Sequence, residues 1–148
     1  MSSPTAAAAP SKSLPDLAME LVQLSPSEAH DRILKGLPLQ AVLSIVSGLD
    51  FNLATTAALL AVQPRTMQRW KSTKKKTLDP VHGSRFYRLM RVFQDGIEIF
   101  GTREAILDWL HEEQPALNFR KPIELMTTDA GAASVEQLLT RIRFNVYT

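Results

Sequence analysis

Residues 53–76 read LATTAALLAVQPRTMQRWKSTKKK, and the spacing of their side chains decides the fold. It predicts two short helices, the second turning strongly basic at its end. Ala57, Leu60, Val62, Met67 and Trp70 fall where a helix-turn-helix needs its internal contacts, because each puts a small or apolar side chain at the crossing of the pair. Polar residues take the other face. Arg65, Gln68, Arg69, Lys71, Lys74, Lys75 and Lys76 gather in and just after the second helix, with no carboxylate between Asp50 and Asp79. Such a block makes a local cationic field that attracts phosphates.

On the N-terminal side, residues 1 to about 14 are rich in Ala, Ser and Pro and cannot bury enough surface to offset their ordering entropy, so a flexible tail is expected. Leu17, Leu21 and Leu24 are spaced for one helical face. Ser25, Pro26 and Glu28 supply an N-cap, a first-position proline and a reciprocal capping partner for a helix from Pro26 to about Lys35, ended by Gly36. Pro38 restarts the chain, and Val42, Leu43 and Val46 mark a further helix that Gly48 closes.

On the C-terminal side, Asp79 and Pro80 open the longest helix, in which Phe86, Leu89, Met90, Phe93, Ile97 and Phe100 recur every third or fourth residue until Gly101. Phe93 and Ile97 are assigned to the core rather than to a partner. Gly96 inside this helix costs about 1 kcal/mol relative to Ala, so it marks either the close approach of another helix or a weak final turn. Thr102 caps a short helix with Ala105, Ile106, Trp109 and Leu110 facing inward; Gln114-Pro115 forces a loop, and Pro122 starts a brief turn. Val135, Leu138, Leu139 and Ile142 mark a last amphipathic helix, followed by a tail over 144–148. No period-two run of β-branched residues occurs, so the expected fold class is all-α.

The chain has 148 residues, a formal charge of +2 and no cysteine. The charge is too small to imply nucleic acid by itself; its concentration in one block is what matters. No disulfide framework or thiolate site can form. The N-terminus lacks a basic stretch and is broken by Pro4, Pro10 and Pro15, and no window approaches the roughly 20 apolar residues needed to span a bilayer, so a soluble cytoplasmic protein is expected. Catalysis is not expected. His30, His82 and His111 are scattered and read as surface histidines, His111-Glu112-Glu113 lacks the second histidine of a zinc-binding helix, and there is no phosphate-cradling glycine loop or nucleophile motif. No metal and no cofactor are implied.

In a helix-turn-helix the second helix enters the major groove with its N-terminal residues at base edges, which makes Arg65, Thr66, Gln68 and Arg69 the candidates for readout. Arg suits guanine and Gln suits adenine. Lys71, Lys74, Lys75 and Lys76 suit phosphate contacts that position without specifying sequence. Trp70 shares a face with Met67 and reads as a core anchor. The turn is unorthodox: Ala61 stands where glycine relieves left-handed strain, and Gln63 is a weak N-cap, although Pro64 suits the first helical position. The competing reading makes the lysines a solvated loop beside a plain helical hairpin.

Several pieces in order carry a family resemblance: TMQRW at 66–70, LDP at 78–80, SRFYRLMRVFQDGIEIFG at 84–101, AILDWL at 105–110, PAL at 115–117, KPIELM at 121–126 and the closing SVEQLLTRIRFNVYT. In the long run, Ser84, Arg85, Arg88 and Phe100-Gly101 match the family pattern. Residues 26–148 thus resemble the Xre/MbcA/ParS antitoxins. The expected division is a flexible tail over 1–24, then, as the resemblance implies, an Xre-like helix-turn-helix DNA-binding domain over 25–76 and a small helical toxin-binding domain over 77–148. It implies a type II antitoxin that binds over the active site of a RES-domain toxin, an NAD-degrading enzyme, and that represses its own operon by binding operator DNA. A homodimer is expected, because one recognition helix covers a half-site; no membrane partner is.

For the toxin contact, Arg141, Arg143, Asn145, Val146 and Tyr147 are the candidates, with the tail reaching towards the NAD site; the alternative folds Val146 and Tyr147 back onto their own domain. A DNA-binding regulator without a toxin, or a toxin-binding adaptor without DNA, are the remaining readings. The chain departs from the family pattern at Ala61 and Gln63, which replace a glycine and a small polar cap, and at Asn118-Phe119, which replaces a glycine-rich turn.

Overall fold

The computed structural model describes residues 14–145. Residues 1–13 of the expected tail, and Val146 and Tyr147 among the candidate toxin-binding residues, lie outside the described residues. The tail does not continue to residue 24. Asp16–Gln23 form helix α1, which buries Ala18 and Leu21 on the core, as the Leu17/Leu21 spacing allows.

Helix α2 runs Pro26–Lys35, and its start carries a full capping box: Glu28 N–H donates to Ser25 Oγ at 3.2 Å and Ser25 N–H to Glu28 Oε1 at 2.9 Å. Gly36 ends it at φ 104°. Then follow α3 (Leu39–Ser47), α4 (Leu53–Leu59), α5 (Pro64–Trp70) and α6 (Pro80–Phe100). The remaining elements are α7 (Arg103–Leu110), a 3-10 turn at Pro115–Leu117, α8 (Pro122–Leu125) and α9 (Asp129–Arg143). Thr102 and Thr128 cap α7 and α9 by accepting from Ala105 N–H at 3.1 Å and Gly131 N–H at 3.0 Å.

Among the described residues the all-α expectation holds apart from one short ladder and an isolated bridge between Gln114 and Arg120. Leu37–Pro38 (β1) pairs antiparallel with Thr77–Leu78 (β2), with Leu37 opposite Leu78. A two-residue ladder is below the reach of any periodicity, which is why the pattern does not disclose it.

Helix α6 is the axis of the molecule. Phe86, Leu89, Met90, Val92 and Phe93 are buried along it, and α1, α2, α7 and α9 all pack on it. Phe93 and Ile97 are core residues, as expected. Gly96 marks a close approach: a Cβ there would meet Ile106 Cγ1 of α7 at 2.3 Å. At the other side, Arg88 of α6 reaches Glu136 of α9 through two bonds, Nε–Oε2 at 2.8 Å and Nη2–Oε1 at 3.0 Å, and Asp129 at 3.4 Å. The hydrogen-bonded Glu136 carboxylate holds the Arg88 guanidinium above its ordinary pKa, against desolvation. Arg85 donates to the carbonyl of Thr127 at 3.1 Å and lies 3.7 Å from Asp129. Planar forks of this kind fix the entry of α9 against α6.

Candidate nucleic-acid and partner interfaces

Helices α4 and α5 form the expected helix-turn-helix. Asn52 caps α4 by accepting from Thr55 N–H at 2.7 Å. At its other end Val62 N–H donates to Ala57 O at 2.9 Å and Ala61 N–H to Ala58 O at 3.1 Å, the bond pair that closes a helix through a left-handed residue. That residue is Ala61, at φ 62°. The turn is therefore left-handed at a residue that is not glycine, at a cost of about 1–2 kcal/mol of Cβ strain. Gln63 makes no side-chain cap bond, and Pro64 takes the first helical position.

Buried Met67 and Trp70 seat α5 on the core, so Trp70 is the anchor its spacing indicates. The opposite face carries Arg65, Gln68 and Arg69, all exposed, with Thr66 half-buried and accepting from Arg69 Nη2 at 3.3 Å. Lys71, Lys74, Lys75 and Lys76, at and after the end of the helix, are exposed as well. Among the described residues the ion pair that reaches the block is Lys75 Nζ with Asp79 Oδ1, at 2.9 Å. Asp79 thus commits its carboxylate to Lys75 rather than to capping α6, and the lysine holds that carboxyl below its ordinary pKa.

The lysine loop is pinned at both ends. Gln40 of α3 donates to the Trp70 carbonyl at 3.0 Å, and Leu39 N–H donates to Lys76 O at 3.0 Å, beside the β1–β2 ladder. These bonds hold the backbone of the basic loop continuous with the basic face of α5.

The candidate residues at the C-terminal end are not brought together as one cationic set. Arg143 turns back onto α6, pairing with Glu98 and with Asp95 at 3.7 Å, so its charge serves the junction of α9 with α6. Arg141, two residues earlier, is exposed and lines a groove with Asn118, Arg120 and Gln137. Asn145 is exposed at φ 58°, just past the helix.

Two family models match this chain. The antitoxin Xre-like helix-turn-helix domain matches residues 28–91, and the antitoxin Xre/MbcA/ParS C-terminal toxin-binding domain matches residues 95–144. The chain belongs to the Xre/MbcA/ParS antitoxin family. No curated protein matches it significantly. Its two matches place a DNA-binding module and a toxin-binding module in one antitoxin, and both point to a regulatory rather than an enzymatic role. The seam between them, after residue 91 and before residue 95, falls inside α6, so one continuous helix carries both modules. Among the described residues no helix is long and apolar enough to cross a membrane.

Sequence reasoning missed several residues of this antitoxin. His82 is not a surface histidine: it is half-buried, its Nδ1 donates to Leu60 O at 2.8 Å, and its ring meets Trp70 edge-on with centroids 5.6 Å apart. It ties α6 to the end of α4 and to the core face of α5. His30 and His111 are exposed, as expected. Gln40 escapes a sequence reading because its partner is a carbonyl far along the chain. Arg85 and Arg88 stand out in the sequence only as pattern matches; their role is the clamp on α9.

Proposed function

We propose that this antitoxin neutralises a RES-domain, NAD-degrading toxin encoded beside it and represses the shared operon. The C-terminal module covers the toxin's active site. A homodimer in the cytoplasm binds operator DNA, with Arg65, Thr66, Gln68 and Arg69 at base edges and Lys71, Lys74, Lys75 and Lys76 at phosphates. The observation that carries the DNA half is the exposed basic face of α5, held continuous with the lysine loop by Gln40 and Leu39. The toxin half rests on the toxin-binding match over residues 95–144 and on the order of the family motifs.

The adaptor reading, in which DNA binding has been lost, draws its support from Ala61 and Gln63. Ala61 keeps the left-handed turn, which weakens that support.

Co-expression tests the reading. The full chain should restore growth and NAD levels in cells making the adjacent toxin, and a chain lacking residues 144–148 should not. Full rescue by the truncated chain would remove the tail from the mechanism, and unchanged NAD on toxin expression would exclude an NAD-degrading target.

A further inference from the structure

The turn after Leu117 holds two successive residues in left-handed backbone, Asn118 at φ 58° and ψ 41° and Phe119 at φ 61°. Asparagine visits this region readily, whereas a bulky aromatic there is a genuine outlier. The turn is held by its own backbone. Phe119 N–H donates to Gln114 O at 2.9 Å, Gln114 N–H to Arg120 O at 3.1 Å, and Asn118 N–H to Pro115 O at 3.1 Å. Arg120 returns to the Leu117 carbonyl with both its N–H and its Nε, each at 3.2 Å, and the Leu117 side chain is buried beneath. None of these bonds uses the Phe119 ring.

Phe119 is 65% exposed. It therefore adds strain to the turn without filling the core, and strain retained at such a place has its return outside the monomer. The surroundings describe the partner. Arg120 and Lys121 follow Phe119 directly and are exposed, and the adjoining groove brings Arg120 beside Arg141 of α9. An exposed aromatic with a cationic rim is the arrangement of an interface anchor, its ring seated in an apolar pocket and its rim set against carboxylates.

We propose that Phe119 is the anchor by which this antitoxin docks on its toxin, inserting into an apolar pocket bordered by acidic residues. The inference rests on the toxin-binding reading above and adds a specificity-determining surface to it. Two full-length variants separate the ring from the rest of the turn. Phe119→Gly removes the ring and its strain, while Asn118→Gly changes the neighbouring left-handed residue and leaves the ring in place.

Titration calorimetry against the purified product of the adjacent toxin gene should show Phe119→Gly binding on the order of tenfold to a hundredfold more weakly. Its Tm should rise by a few degrees, because the glycine is unstrained. Asn118→Gly should bind as the parent does. If the parent binds and Phe119→Gly binds equally tightly, or if Phe119→Gly lowers Tm, the anchor role is overturned while the toxin reading stands. A parent chain that fails to bind the toxin overturns the toxin reading, and the anchor with it.

Discussion

The helix-turn-helix with its lysine loop and the junction of α6 with α9 treat charge in opposite ways. In the helix-turn-helix half the cations of α5 and its loop stand in solvent, and among the described residues the carboxylate that meets them is Asp79, on Lys75. At the junction of α6 with α9, by contrast, arginines are paired within the fold: Arg85 and Arg88 of α6 clamp α9, and Arg143 of α9 closes onto Asp95 and Glu98. Arg91, exposed on the same helix as Arg85 and Arg88, bonds the Tyr87 hydroxyl at 3.0 Å. Positive charge that stands in solvent is available to a nucleic acid, whereas positive charge already paired specifies helix packing. The surface proposed to meet the toxin is instead aromatic, at Phe119, with Arg120, Lys121 and Arg141 near it.

The sharpest break of this contrast is a Lys74/Lys75/Lys76 triple alanine. Operator affinity in a gel-shift series should fall on the order of tenfold to a hundredfold, and its slope against log salt should flatten by about 0.9 for each phosphate that is no longer neutralised. Thermal stability should stay within about 0.5 kcal/mol. Lys75→Ala alone should matter less than Lys74→Ala, because Lys75 must leave Asp79 before it can meet a phosphate. Equal single effects would refute that ordering.

Gly96→Ala should do the reverse, costing about 1–3 kcal/mol in urea unfolding by forcing α6 off Ile106, with no change in salt slope. Arg88→Ala should cost about 1–2 kcal/mol, and a double-mutant cycle with Glu136 should return a coupling of about 1 kcal/mol. A coupling near zero would make the clamp ornamental. Ala61→Gly should stabilise by about 1 kcal/mol and leave operator binding intact; a drop in stability would mean that the left-handed turn is not the native one.

The smallest effect is in pH. Burial raises the Asp95 carboxyl above its ordinary value, with Arg91 and Arg143 opposing. The folded chain therefore keeps this proton after the unfolded chain has released it, and stability declines as pH rises from the ordinary aspartate value through the folded one. Asp95→Asn should remove that decline. Asp79, lowered by Lys75, contributes the opposite way, losing its share as pH falls through its folded value.

Much of the fold is legible in the sequence because its signals are local. Ser25 with Glu28, Gly36, Gly48, Gly101 and Thr102 bound their helices within a turn of themselves, and the three-to-four spacing in α6 names its buried face. Among the candidate DNA residues, Arg65, Gln68, Arg69 and the four lysines stand in solvent. The candidate toxin residues fare differently. Arg143 reads as a free cation in the sequence because its partners Asp95 and Glu98 lie on another helix, 45 residues from it in the case of Glu98. Phe119 reads there only as a departure from a glycine-rich turn.

By itself the sequence determined where helices start and stop, which faces are apolar and where cations accumulate, since caps, periodicity and composition act over a few residues. The tertiary structure decided which of those cations stay in solvent and which are drawn into the fold. It also chose the close-approach reading of Gly96 and made His82 a strut. Each of these depends on groups such as Arg88 and Glu136, 48 residues apart, meeting only after the chain has packed.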